Sequence, residues 1–548
     1  MVPLAQAQCD AATPSRIHQL YLEKKWPEVV RAANAGGQLS ADDQYDVGMA
    51  FAHMQQWPHA RQALLSGLRQ CPRQKRFPLE LAGVAFQTKR YPEAASWLRR
   101  ALKLDPHDTY AINFAATVYF LEGNLDAALK YWNLIQKPAI AALRFAPNLR
   151  VHRLLLDRAF TFSPASVLVR PQYESTEIRL RQLGIFPVFN INLNARSDGS
   201  FDAEFHTVEQ NGFGNSRLQA LLSTFGGAFY ETIYPAYFNI GRSAINFESL
   251  LRWDAQKRRA WASLSGPLQQ FPQWRWQLLS DNRNENWTIR RSFTGPAPPL
   301  GSLNLEREII AGSISGFPRG SLQWSSGIEL SHRSYRNVDN GSALTPVLSA
   351  PGYQLAHLAS VRGTILNFPE RRFKLDADAA SKFARLWSTP SRSYEKLTGS
   401  AVAHWFPQAS GDLYELTQQL RAGYSFGRPP FDELFMLGVE RDNDLWLRGL
   451  IATRDGRKGS SPLGDRYLLS NSDFERRFYS NGLLTLKAGP WLDIGRTHGP
   501  TAALSPDQWL FSAGIATRLT VFGTGVVFTW GRDLRTGSNA FFATLASR

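Results

Sequence analysis

In the stretch Pro430 to Gly495, Leu447-Arg448-Gly449-Leu450 lies in a long loop between segments that alternate as β-strands do. After the loop, Asn471, Asp473 and Glu475 share one parity and Phe474 and Phe478 the other, so the segment has a wet and a greasy face. The next segment repeats the pattern. Leu484, Leu486, Ala488, Leu492 and Ile494 fall on one side, with Thr485, Lys487 and Asp493 on the other. If the apolar faces meet lipid, Glu475 and Asp493 both point into the lumen of a barrel.

A loop folded into that lumen would bring the Arg448 guanidinium to these carboxylates, for which its fixed fork of donors is suited. A pair at about 4 Å is worth roughly 1 kcal/mol in water and roughly 4 kcal/mol at an effective dielectric near 20, so a dry lumen would hold the loop firmly. On its own, an Arg-Gly in a loop is more often a solvated turn, and the surrounding motifs have to carry the reading.

Phe431-Asp432-Glu433-Leu434-Phe435 with Gly438, then Leu447-Arg448-Gly449-Leu450, Gly464-Asp465, Glu475 and Leu492-Asp493-Ile494-Gly495 form an ordered set. The set resembles the C-terminal barrel of the BamA/TamA superfamily, which includes outer-membrane protein assembly factors and two-partner secretion transporters. The resemblance implies that Arg448 is the arginine of an inward-folded plug loop and that Glu475 and Asp493 are its lumen partners. It also implies a barrel of about 16 antiparallel strands. This chain departs from the family pattern in two places. Leu450 stands where an aromatic is usual, and the sequence ends Ala546-Ser547-Arg548 where a terminal aromatic is typical, which bears on how the last strand closes.

Alternation extends well beyond the loop. Phe373, Leu375, Ala377 and Ala379 alternate with Lys374, Asp376 and Asp378; Leu322, Trp324, Ile328 and Leu330 with Gln323, Ser325 and Glu329; Ile515, Leu519 and Val521 with Arg518 and Thr520. Gly316-Phe317-Pro318, Asn340-Gly341, Gly352, Pro369-Glu370 and Gly427-Arg428-Pro429-Pro430 break the chain where turns are needed. From Arg217 onward, strands of about 10 residues leave room for about 16, the first near Arg217 to Thr224 and the last near Ala540 to Ala546. No apolar run reaches the roughly 18 residues of a spanning helix, so a membrane role has to come from strands. Aromatics make up 12% of the chain, and Trp253, Trp274, Trp276, Trp387, Trp405 and Trp530 sit at segment ends, as interfacial girdles or an aromatic core would require.

The N-terminal quarter has a different rhythm. Ala60, Ala94 and Ala128 recur every 34 residues, with Trp57, Tyr91 and Leu125 three places earlier in each unit, which is the tetratricopeptide period. Gly48 and Phe51, Ala82 and Ala85, and Ala116 and Tyr119 take the small and bulky positions of the first helices, and Pro72 and Pro106 close two units. Trp26 marks a degenerate first unit. Such repeats bind a protein or peptide on a concave face, or act as a rigid spacer.

Between repeats and barrel, a strand near Ile140 to Phe145, helical stretches near Leu149 to Ala159 and Tyr173 to Leu183, and two alternating strands around Asp198-Gly199 outline a small α/β module. Arg179-Leu180-Arg181-Gln182-Leu183-Gly184-Ile185-Phe186 resembles the helix-to-strand segment of a polypeptide-transport-associated (POTRA) domain. That implies client capture by strand addition at a sheet edge, with a structural adaptor as the plain alternative.

The chain therefore divides into a truncated signal-peptide remnant (1–8, with Ala5-Gln6-Ala7 as the cleavage site), a tetratricopeptide repeat domain (9–136), a POTRA-like domain (137–210) and a transmembrane β-barrel (211–548). Cys9 and Cys71 are the only cysteines, enough for one disulfide in an oxidising compartment. A net charge of +16 without a nucleic-acid-binding fold points to outer-membrane lipid and lipopolysaccharide phosphates. Arg454, Arg457 and Lys458 are candidates to meet them, or are simply solvated loop charge.

The ten histidines are scattered, and His53 and His59 read as surface residues. No nucleophile elbow, phosphate loop or zinc motif appears, so no catalytic residue, metal or cofactor is expected. The leading expectation is a non-enzymatic outer-membrane protein with periplasmic N-terminal domains. It would assemble, insert or translocate client polypeptides, with a periplasmic protein or peptide on its repeats. A polysaccharide export porin and a structural or adhesive anchor are the alternatives, and an exporter should lack both the POTRA-like module and the plug.

Overall fold

The computed structural model describes residues 15–146, 148–290, 298–481, 484–505, 507–521 and 524–545. Ala5-Gln6-Ala7, Cys9 and the terminal Ala546-Ser547-Arg548 lie outside them. The chain forms two compact units, one of Met1–Ala139 with Val167–Arg170, the other of Ile140–Ser166 with Pro171–Arg548.

The first unit is helical. Its helices are Arg16–Leu22, Trp26–Asn34, Ala41–His53, Trp57–Gln70, Arg76–Gln87, Tyr91–Leu104, Thr109–Leu121 and Leu125–Trp132. The 34-residue beat marks where second helices begin, at Trp57, Tyr91 and Leu125. A proline in the first turn of the helices starting at Trp26, Trp57 and Tyr91 removes only an N–H that has no helical partner. Just before each start, Lys24, Gln55, Lys89 and Gly123 adopt left-handed backbone conformations that turn the chain. Ala60, Ala94 and Ala128 are buried, and Tyr119 stacks on Tyr131. At Gly48 an added Cβ would lie 2.8 Å from Leu64 Cγ, so helix contact there needs glycine. Cys71 is buried and disulfide-bonded.

The second unit opens with the α/β module. Its sheet has the order Ser166–Val167, Ala139–Phe145, Phe201–Val208, Val188–Ala195, which leaves Val188–Ala195 at an edge. Ala139–Phe145 runs parallel and Val188–Ala195 antiparallel to Phe201–Val208. Phe205 is the hub of an aromatic core that includes Phe145, Phe160, Phe186 and Phe189. Gly184 takes a φ of 69° between the helix Arg170–Gln182 and the buried Ile185 and Phe186, a conformation that glycine accepts without strain. Turns at one end of the barrel dock on this module. Asn246 Nδ2 donates to Leu183 O (2.9 Å), Arg179 Nη2 to Gln273 Oε1 (3.1 Å) and Gly320 N to Ser175 Oγ (2.9 Å).

The rest is an antiparallel meander arranged as a barrel. Its wall begins with Thr232–Ile233 and Ala236–Ile240, which both pair with Ile245–Trp253, and ends with Asn539–Leu545. Arg217–Phe225, where the first strand was expected, is a helix capped by Ser216. Its run of Leu, Ala and Gln is helix-favouring, and the polar cap outweighs the loose alternation. Among the described residues the wall has sixteen strands when the two short opening segments are counted separately and fifteen when they are counted as one. Several strands exceed the anticipated ten residues, as Gly301–Arg319 does with 19.

Polarity is inverted across the wall. Ile310, Ile328, Ile365, Leu420, Leu468 and Phe541 are exposed outward, whereas Arg333, Asp493 and Glu285 are buried inside. Exposed aromatics gather at both rims: Phe271, Trp274, Trp405 and Phe478 at the module end, Trp253, Tyr353, Trp387 and Trp509 at the other. This arrangement suits a hydrocarbon surround with two interfaces. Among the described residues no helix is long and apolar enough to cross a membrane.

Candidate functional site

The chain from 428 to 465, between strands Tyr414–Gly427 and Arg466–Ser480, folds back into the lumen as a plug. It is built on an apolar frame. Phe431, Leu434 and Met436 pack with Trp287, Leu303, Leu305, Leu344 and Leu504. Leu447 and Leu450 pack with Phe435, Leu437, Leu445, Tyr467, Leu469 and Leu510. Leu450 thus fills a compact apolar cluster that includes the Phe435 and Tyr467 rings.

Leu447 and Gly449 flank Arg448 and aim it at the wall. Its Nη2 is 2.7 Å from Asp493 Oδ1 and its Nη1 2.5 Å from Asp473 Oδ1, and its backbone N–H donates to Asp493 Oδ2 at 2.8 Å. The guanidinium also lies 4.3 Å from the Trp491 ring centroid. Asn471 Nδ2 donates to Asp493 Oδ1 and to Trp446 O, so wall, carboxylate and plug are tied together. At Gly449 an added Cβ would lie 2.8 Å from Asp533 N, and only glycine permits that approach.

Of the two anticipated partners of Arg448, the geometry brings Asp493 to it and not Glu475. Glu475 shares the lumen face but sits further toward the module, where its Oε1 meets Arg518 Nη2 at 3.0 Å. Asp473, two residues nearer the plug on the same face, takes the place assigned to Glu475. Parity identified the face, but only the depth of the plug selects the residue.

The other half of the plug carries the opposite charge. Asp432 and Glu433 enter a nest of wall cations. Arg333 Nη1 and Arg307 Nη1 lie 3.0 and 3.1 Å from Asp432, while Arg307 Nη2, Lys382 Nζ and Lys396 Nζ lie 2.8, 2.6 and 3.1 Å from Glu433. Tyr335 OH donates to Asp432 at 2.9 Å. Further along, Asp442 receives Arg252 (2.8 Å) and Arg259 (2.7 Å), and Glu440 lies 3.4 Å from Lys257. Lys458, anticipated as a phosphate-binding loop residue, is instead buried between Glu285 (2.6 Å) and Asp442 (3.1 Å). Arg454 and Arg457 stay exposed.

Strands from Ile245 to Trp405 therefore present cations to an acidic half-plug, and strands from Arg466 to His498 present carboxylates to Arg448. Asp432, Glu433, Glu440 and Asp442 were missed as plug anchors. Each acid's partners come from strands far away in sequence, but four carboxylates within the eleven residues from Asp432 to Asp442 were a usable signal. Among the described residues no cluster of three or more His, Cys, Asp or Glu side chains could hold a metal.

No family model and no curated protein matches the sequence. The fold is similar to CdiB from Escherichia coli, at 13% identity over 75% of each chain with a TM-score of 0.48. It is also similar to BamA from Haemophilus ducreyi lacking POTRA domains 1–3 (12% identity, 74% of this chain and 83% of that one, TM-score 0.43). CdiB from Acinetobacter baumannii gives 10% identity over 79% and 78% of the two chains, with a TM-score of 0.43. At these scores the functional reading rests on the chain's own geometry.

Proposed function

We propose that this chain is an outer-membrane barrel of the BamA/TamA type that assembles, inserts or translocates client polypeptides. Its N-terminal helical repeats and POTRA-like module lie in the periplasm. The observation that carries the reading is the plug itself, with Arg448 held by Asp473 and Asp493 and the acidic half held by a basic wall. Such a plug fills the lumen and is tied by ion pairs and hydrogen bonds, not covalent links, so its mechanism is conformational and no step requires a cofactor. The inverted polarity of the wall and its two aromatic rims support the membrane location. The edge strand Val188–Ala195 supports client capture by strand addition, and the helical hairpins supply a surface for a periplasmic protein or peptide.

Depleting the protein in its host, with quantitative outer-membrane proteomics and a parallel assay of secreted polysaccharide, tests this. Selective loss of barrel or secreted proteins is expected. An intact proteome with lost polysaccharide would replace the reading with an exporter.

A further inference from the structure

Outside the barrel, at the rim where the plug enters, a groove of about 690 Å³ crosses four strands. The registers align its lining in two outward rows. Leu397 faces Tyr424, Tyr424 faces Arg466, and Arg466 faces His498; one step toward the module the row is Gly399, Ala422, Leu468 and Arg496. Gly399 and Ala422 make the floor, and Leu397 and Leu468 its apolar flanks. Above Gly399 the space is open, since an added Cβ would meet only Asp378 O, at 3.5 Å.

Two guanidiniums, Arg466 and Arg496, border this apolar trough on the outer face of the wall. A cation facing lipid is costly at mid-bilayer and tolerated near an interface, so Arg466 and Arg496 mark the headgroup level. Trp509 and Tyr424 beside them are the interfacial aromatics of that rim. Asp507 engages Arg496 (3.2 Å) and His498 (3.1 Å) together, while Asp465 approaches Arg466 only at 3.9 Å. Two guanidiniums, one of them no nearer than 3.9 Å to Asp465, thus border an apolar trough, the combination that suits a phosphate joined to an acyl chain.

We infer that this groove binds a phosphorylated acyl lipid of the leaflet at the plug-entry rim. Arg466 and Arg496 donate to the phosphate, and a chain lies over Gly399 and Ala422. The inference rests on the membrane reading above and adds a specific lipid site to it.

The test uses the full chain in phosphatidylcholine nanodiscs supplied with bisphosphorylated or dephosphorylated lipid A, with retained lipid read by native mass spectrometry. Preferential retention of the phosphorylated form is expected. It should fall about tenfold or more in the double variant Arg466→Gln/Arg496→Gln. It should fall also in Gly399→Leu, which fills the floor and keeps both arginines. Equal retention of the two lipids, or retention unchanged in both variants, overturns the inference. So does displacement by inorganic phosphate with no effect of Gly399→Leu, which would make the site one for free phosphate. A chain that enters no nanodisc refutes the membrane reading itself, whereas insertion without selectivity refutes only the lipid site.

Discussion

The helical unit and the barrel plug solve opposite problems. In the helical unit, contacts are short in sequence and apolar: Ala60, Leu64, Phe77 and Leu81 close one repeat on the next within a few dozen residues. In the plug, the decisive contacts are ionic and span long stretches of chain, as between Arg252 and Asp442 or Arg307 and Glu433. Apolar packing tolerates substitutions of similar volume, because transfer free energy has little direction. Buried ion pairs do not, because removing one partner strands the other in a place where water cannot reach it. The plug is therefore the more specified of the two regions and the easier to dislodge by a single change.

The largest effect is expected from Glu433→Ala, which leaves Arg307, Lys382 and Lys396 without their shared acceptor. Breaking a buried pair in this way costs about 3–5 kcal/mol. A loosened plug should appear as higher conductance in planar bilayers and as protease cleavage within 428–465. Arg448→Ala comes next. Its loss strands Asp493, although Asn471 still donates to that carboxylate, and Arg448→Lys should rescue only in part because a point charge cannot reproduce the fork. Glu475→Ala should leave the plug in place, and plug release in that variant would refute the assignment of Asp473 over Glu475.

In the helical unit, Gly48→Val crowds Leu64 and should destabilise that unit by about 1–3 kcal/mol, seen as an earlier thermal transition. Barrel heat-modifiability on gels should not change. The smallest effect concerns Glu80, which accepts from Tyr45 OH at 3.2 Å. Burial pushes its carboxyl above the ordinary carboxylate value, and the Tyr45 hydrogen bond opposes this only in part. The unfolded chain then ionises first as pH rises. The contribution of Glu80 to stability is full below the ordinary value and is lost as pH climbs through the raised one. Glu80→Gln keeps the acceptor and should match wild type in acid but melt later at neutral pH. An identical pH profile for the two proteins would show that Glu80 carries no such penalty.

Legibility in the sequence followed the range of the interactions. The beat of Trp57, Tyr91 and Leu125 was readable because one local rule, a second helix starting after a tight turn, repeats at fixed spacing. The alternation around Asp473 and Asp493 was readable because side chains on a strand alternate faces regardless of what surrounds it. The same rule misled at Arg217–Phe225, where nine residues fit a strand loosely and a helix better. It also left Glu475 and Asp473 equivalent, since parity says nothing about depth.

The sequence by itself determined the periods and the face on which each wall residue sits, and both are properties of neighbours along the chain. Only the tertiary structure decided that Asp473 replaces Glu475, that Lys458 is a buried anchor and not a surface cation, and that Asp432, Glu433 and Asp442 meet a basic wall. Those outcomes depend on how deep the plug descends and on which strands curve round to face it, and distance in space between residues remote in sequence is written in no local pattern.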